Sequence, residues 1–191
     1  MRNVMLFLVL LSLGGCATHP VTGRQQLMLM PESDVIRMSY QAFGEMSSKQ
    51  PSLARDHAYS RRVDSITQGI IRQAQAMHPA ARAWQWETRV FRDDSINAFA
   101  MAGGKIGVNT GFLERMRPTD DELAQVIAHE VAHVISGHSR EQMSIAMSQQ
   151  LGLGLAGAAI GLDAGSMQLA SQVAGVAITL PFSLSLIHIS E

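Results

Sequence analysis

Apolar side chains recur at intervals of three and four residues along much of the chain, which is the spacing of one face of an α-helix. This pattern predicts helices over residues 31–46 and 54–77 and a short helix over 111–116. It also predicts a helix over 119–137, followed by further helical sequence over 139–150. Most of the chain is therefore expected to be helical.

Between these helices, large apolar and polar side chains largely alternate, as they do in a strand with one buried face. The alternation predicts strands over residues 84–91, 96–101 and 105–109, with a tight turn at Gly103-Gly104. Helices and strands together predict an α+β fold, mostly helical with a small three-stranded sheet.

The helix over 119–137 has signals at both ends. Thr119 and Glu122 form a capping-box pattern at its start, and Gly137 is a natural stop. Between them, apolar residues point in nearly every direction, which is typical of a helix buried in a core. These residues are Leu123, Ala124, Val126, Ile127, Ala128, Val131, Ala132, Val134 and Ile135.

Three polar residues interrupt this helix, His129, Glu130 and His133, in the pattern H-E-x-x-H. Residues four apart lie about 40° from each other around a helix, so both imidazoles can reach one metal ion. Glu130 sits about 60° further round, where it can act as a general base toward water. Burying such groups unpaired would cost several kcal/mol, which a bound zinc ion would offset. The alternative is a chance occurrence of a five-residue pattern.

The third metal ligand is less evident. A metzincin would need Gly and His where this chain has Ser136 and Ser139. On a continuing helix, His138 would lie about 140° from His133, so it is predicted to be a helix-end residue near free carbonyl groups. A Glu on a later helix is therefore the expected third ligand.

The first 15 residues are predicted to be a signal peptide, because their apolar run is too short to span a bilayer. The run ends in Leu-Gly-Gly-Cys, which resembles a bacterial lipobox and makes Cys16 the expected lipidation site. The residue after the cysteine is Ala17 rather than Asp, which in similar Gram-negative lipoproteins indicates export to the outer membrane. Residues 16–31 are then a lipid-anchored tether, in which Pro20 and Gly23 oppose regular structure. The alternative is a buried free cysteine in an uncleaved membrane anchor.

The composition gives no sign of a nucleic-acid partner. With 15 basic and 16 acidic residues and no run of like charge, nothing indicates nucleic acid. Cys16 is the only cysteine, which excludes an internal disulfide.

Residues 151–179 are rich in Gly and Ala and are expected to pack on the H-E-x-x-H helix, with a membrane-inserted hairpin as the alternative. Residues 184–191 resemble translated adapter sequence and are expected to be a non-native tail, with His188 and Glu191 as remote ligand candidates.

Three stretches, residues 20–27, 97–106 and 121–138, together resemble one family. They are similar to the bacterial lipoprotein branch of the M48 gluzincin metallopeptidases, the family of HtpX, BepA and LoiP, over about residues 19–183. The resemblance implies a zincin-like metallopeptidase domain over 32–183, with the sheet beside the H-E-x-x-H helix. It also implies a zinc endopeptidase on the periplasmic face of the outer membrane, acting on misfolded or misassembled envelope proteins.

The resemblance further implies that His129 and His133 are zinc ligands and that Glu130 is the base. In the family, a Pro-Phe-Ser-like segment leads to a Glu that is the third ligand. Residues 181–183 are Pro-Phe-Ser here, but Ile187 stands about where that Glu is expected. The chain is therefore expected to be truncated, to lack the third ligand and to hold zinc poorly.

An extended substrate is expected to add as a strand to an edge near residues 103–109, with Gly103, Gly104, Lys105 and Ile106 as the substrate-binding residues. The alternative is that the two glycines only make a hairpin turn. The rival function is a lipid-anchored chaperone-like or binding module that does not cleave, which the missing ligand favours. A purely structural lipoprotein would leave the His-Glu-His cluster unexplained.

Overall fold

The computed structural model describes residues 16–160 of the 191-residue chain, which divides into two compact units over residues 1–141 and 142–191. In the second unit the described residues, 142–160, are helical. The predictions for the signal peptide, for the Gly- and Ala-rich segment beyond residue 160 and for the tail over 184–191 lie outside the described residues.

Within residues 16–160, the structure is α+β, as predicted. The helices are α1 (Glu32–Lys49), α2 (Ala58–Met77), α3 (Asp120–Ile135) and α4 (His138–Ile160). The strands are β1 (Cys16–Thr18), β2 (Gln25–Leu27), β3 (Glu87–Phe91), β4 (Ala98–Met101) and β5 (Lys105–Asn109). A short 3-10 helix (Pro79–Ala83) precedes β3, and a π-helical turn (Phe112–Met116) follows β5. None of the helices described is long and apolar enough to cross a bilayer.

The three-stranded sheet has the order β3-β5-β4, with β3 parallel and β4 antiparallel to the central strand β5. The tight turn between β4 and β5 contains Gly103 (φ 82°) and Gly104 (φ 86°), where an L side chain would be strained. A Cβ atom on Gly104 would also lie 2.6 Å from the Trp86 ring. The two glycines are therefore required by the turn itself.

Opposite faces of the sheet contact different helices. Ile106 and Val108 belong to the main core cluster together with Val63 of α2 and Leu123 and Ile127 of α3. Residues on the other face pack against α1: the Phe91 ring lies 5.9 Å from that of Phe43, and the Lys105 Nζ lies 4.8 Å from the centre of the Tyr40 ring. Helix α3 therefore lies on one side of the sheet and α1 on the other.

Helix α3 begins with the predicted capping box. The Thr119 hydroxyl accepts a hydrogen bond from the Glu122 backbone N–H, and the Glu122 carboxylate accepts one from the Thr119 N–H (2.7 Å). The prediction that α3 is buried on nearly every side is wrong. One face is buried, while Ala128, His129 and Ala132 are exposed. The buried residues are Leu123, Ile127, Val131, Val134 and Ile135, each worth about 1.5–3 kcal/mol of burial.

The prediction that Pro20 and Gly23 oppose regular structure within residues 16–31 is also wrong. Strands β1 and β2 form an antiparallel hairpin, with Cys16 opposite Leu27. Pro20 and Gly23 fall in the connection between the strands, where the Gly23 N–H donates to the His19 carbonyl (2.8 Å) and φ of Gly23 is 67°. They shape the turn and do not interrupt either strand.

Candidate metal centre

Helix α3 brings the imidazoles of His129 and His133 together on its exposed face. Their Nε2 atoms lie 2.9 Å apart, and the two rings are nearly perpendicular, at 85°. Two nitrogen ligands at about 2.0–2.1 Å from a tetrahedral zinc ion lie roughly 3.3 Å apart. The two Nε2 atoms would therefore need to move only slightly apart to bind one zinc ion, which agrees with the spacing of the two histidines in the sequence.

Glu130 is half-buried beside this pair. Burial raises the pKa of its carboxyl, and the neighbouring His129 opposes the shift only in part. A carboxylate with a raised pKa is a stronger base, which is the property a proton acceptor in hydrolysis needs.

The surroundings of His133 disfavour the protonated form of its imidazole. Burial lowers its pKa, and His129 and then His138 lower it further. A metal binds the neutral ring, so these surroundings favour metal binding at neutral pH.

His138 lies against His133, which the sequence analysis did not predict. The Nδ1 atoms of the two rings are 2.6 Å apart. The prediction failed because it continued α3 through residue 138. Helix α3 ends at Ile135, the chain turns at Gly137 (φ 68°), and α4 starts in a new direction at His138. The signal was available, since Gly137 is the predicted stop of the helix.

Among residues 16–160, no three His, Cys, Asp or Glu side chains are placed to hold a metal ion together. The two converging imidazoles fit two ligand positions of a metal site, and the lowered pKa of His133 favours the neutral ring that zinc binds. The position of Ile187, where the sequence analysis expects the third ligand, lies outside the described residues, as do His188 and Glu191.

The strand over residues 105–109, where a substrate edge was predicted, is not an edge of the sheet. Lys105 and Ile106 belong to β5, whose two edges are already paired with β3 and β4, so no peptide can add there. Both side chains are buried: Ile106 packs in the core, and the Lys105 ammonium donates to the Gln85 carbonyl (2.8 Å) on the α1 side. Gly103 and Gly104 serve the turn, and β4 is an edge strand of this sheet that packs on α3.

The sequence profile of peptidase family M48 matches residues 57–189, more than two thirds of the chain. The chain belongs to this family. The match confirms the family that was predicted from residues 20–27, 97–106 and 121–138, the last two of which lie within the matched range, and with it a metal-dependent class of peptidase. The mostly helical α+β fold with a small mixed sheet agrees with this membership.

The chain aligns with only part of the length of its relatives. The metalloprotease LoiP of Escherichia coli is 32% identical over 122 residues, which is 64% of this chain and 45% of LoiP. The mitochondrial metalloendopeptidase OMA1 of Schizosaccharomyces pombe is 38% identical over 99 residues, 52% of this chain and 28% of that protein. A Vibrio cholerae protein, provisionally named a beta-barrel assembly-enhancing protease, is 41% identical over 54 residues, 28% of this chain and 11% of that protein. This chain thus spans less than half of each.

Proposed function

We propose that the protein is a zinc-dependent endopeptidase of the bacterial cell envelope. The observation that carries the proposal is the pair of imidazoles whose Nε2 atoms lie 2.9 Å apart, with the half-buried Glu130 beside them, in a chain of peptidase family M48. Two converging ring nitrogens next to a carboxyl with a raised pKa are the groups that metal-assisted hydrolysis needs.

In this proposal, His129 and His133 would hold the metal through their Nε2 atoms, and a third ligand, which the sequence analysis does not identify in this chain, would complete the site. Zinc, when bound, supplies a Lewis acid for the scissile carbonyl and lowers the pKa of water toward about 7. Glu130 accepts the proton of the attacking water and then passes it to the leaving amine.

The open edge of β4 is the proposed place for the substrate backbone. Ala98 and Ala100 of β4 pack on the same core cluster as α3, so a peptide added along this edge would lie next to the strand that contacts this helix. Pairing through main-chain hydrogen bonds tolerates many sequences, which suits unfolded or misassembled envelope polypeptides as substrates. The Vibrio relative's name supports this substrate class.

The proposed location is the periplasmic face of the outer membrane, with a lipid on Cys16. The support is the lipobox-like sequence that ends at Cys16. Replacing Cys16→Ser should release the protein from the membrane fraction, while Ser33→Ala should leave it there. Membrane attachment that survives Cys16→Ser would contradict the lipid anchor.

The catalytic proposal is tested with Glu130→Gln, which keeps the size of the side chain and removes the base. The variant should bind as much zinc as the wild type by elemental analysis and cleave casein at least a hundredfold more slowly. Glu114→Gln, an exposed position without a described side-chain contact, is the matched control and should cleave normally. Undiminished cleavage by Glu130→Gln would rule out the proposed base.

The rival function, a chaperone-like or binding module, draws on the sequence, in which Ile187 stands about where the family's third ligand is expected. It predicts that the wild type suppresses aggregation of an unfolded protein without cleaving it, with or without added zinc. The same casein assay distinguishes the two functions.

A further inference from the structure

Each ring nitrogen of His133 has a different neighbour. Its Nε2 faces Nε2 of His129 at 2.9 Å, and its Nδ1 faces Nδ1 of His138 at 2.6 Å. Histidines that bind a metal through one ring nitrogen almost always donate the N–H of the other to a neighbouring acceptor. His138 occupies the position of that acceptor.

The position of His138 is fixed by the turn between α3 and α4. The Gly137 N–H donates to the Val134 carbonyl (3.0 Å), and the Gly137 carbonyl accepts from the Glu141 N–H (2.9 Å), so His138 lies in the first turn of α4. A Cβ atom on Gly137 would come within 3.1 Å of the His19 ring, which shows how closely the N-terminal hairpin covers this turn.

The hairpin and the segment after it hold both sides of the turn. Before it, the buried Gln26 side chain donates to the Ser136 carbonyl (3.0 Å). After it, the Arg140 guanidinium donates to the Met30 carbonyl (2.6 Å), and Glu141 forms a salt bridge with Arg24. These contacts hold the residues on both sides of His138 in place.

We propose that His138 is a positioning residue for the ligand His133. It accepts a hydrogen bond from the N–H at Nδ1 of His133, which leaves the lone pair at Nε2 of His133 free for the metal. If His138 instead donated a hydrogen bond to Nδ1 of His133, the hydrogen of the neutral His133 ring would lie on Nε2. That nitrogen could then not bind a metal. The importance of the contact for metal binding rests on the proposed function.

The first test needs no metal. Nitrogen-15 NMR of the imidazoles in the metal-free full chain, at one pH where the rings are neutral, identifies which nitrogen of His133 carries the hydrogen. The expected result is hydrogen at Nδ1 in the wild type and a shift toward hydrogen at Nε2 in His138→Leu. Hydrogen at Nε2 of His133 in the wild type would overturn the proposal.

The second test measures zinc affinity by competition with a chromophoric chelator. His138→Leu removes the acceptor and should weaken zinc binding by about 10–100-fold, the usual effect of losing such a partner. His138→Asn offers an amide oxygen near the position of Nδ1 and should restore affinity to within about threefold. Ser139→Ala is the matched control and should bind like the wild type.

A loss in His138→Leu that His138→Asn does not restore would mean that the residue acts through packing alone, and equal affinity in all four proteins would likewise refute the proposal. If even the wild type binds no zinc, the proposed endopeptidase function fails, and the metal-free NMR measurement still decides whether His138 sets the tautomer of His133.

Discussion

Replacing Gly104 by Ala distinguishes a structural role of this glycine from the substrate-binding role that the sequence predicted. At φ 86°, an L residue costs about 1–2 kcal/mol relative to glycine. The new Cβ atom would lie 2.6 Å from the Trp86 ring, and such overpacking costs typically about 1–3 kcal/mol. The free energy of unfolding should therefore fall by about 2–5 kcal/mol, a large part of a typical domain's stability of about 5–15 kcal/mol.

Equilibrium unfolding in urea measures this loss. Gly44→Ala is the matched control: Gly44 lies within α1 with open space around it, so the change should leave stability the same or raise it by up to about 1 kcal/mol. At a temperature where Gly104→Ala remains folded, the KM for a peptide substrate should equal that of the wild type. Unchanged stability together with a raised KM would refute the structural role and return Gly104 to substrate binding.

Further changes probe α3 and the Lys105 contact. Thr119→Ala removes the capping hydroxyl of α3 and should lower the free energy of unfolding by about 0.5–2 kcal/mol in urea titrations; no change would contradict a contribution from the capping box. Glu87 is expected to make the free energy of unfolding depend on pH. Burial acts to raise its pKa, but hydrogen bonds from Arg89 and Lys105 outweigh burial and leave the pKa below its ordinary value. Its stabilising contribution is therefore complete above about pH 5 and lost as the pH falls through the folded-state pKa. The urea midpoint should thus fall less steeply on acidification in Glu87→Gln than in the wild type, and parallel curves would contradict this assignment.

Local signals predicted the elements well. Strand β5 begins and ends where the alternation of residues 105–109 places it, and α3 begins at its capping box. Helix α1 runs three residues further than predicted, to Lys49, and α2 begins at Ala58, after His57 caps it through Nδ1. These features depend on residues close in sequence, which is why a sequence pattern can predict them.

Features that depend on how segments pair and turn in three dimensions were not predicted. The pairing order places β5 in the middle of the sheet, which removes the expected substrate edge at Lys105 and Ile106. The contact between His133 and His138 depends on a change of direction at Gly137, and the hairpin around Gly23 on pairing between strands. A single sequence contains the turn residues but not the partners that the turns bring together.

The most direct test of the metal site is zinc X-ray absorption on the zinc-loaded protein. The account predicts two imidazole nitrogens at about 2.0–2.1 Å in the wild type and one in His129→Ala. A spectrum without imidazole ligands, or one that His129→Ala leaves unchanged, would contradict the central claim that His129 and His133 bind the catalytic metal.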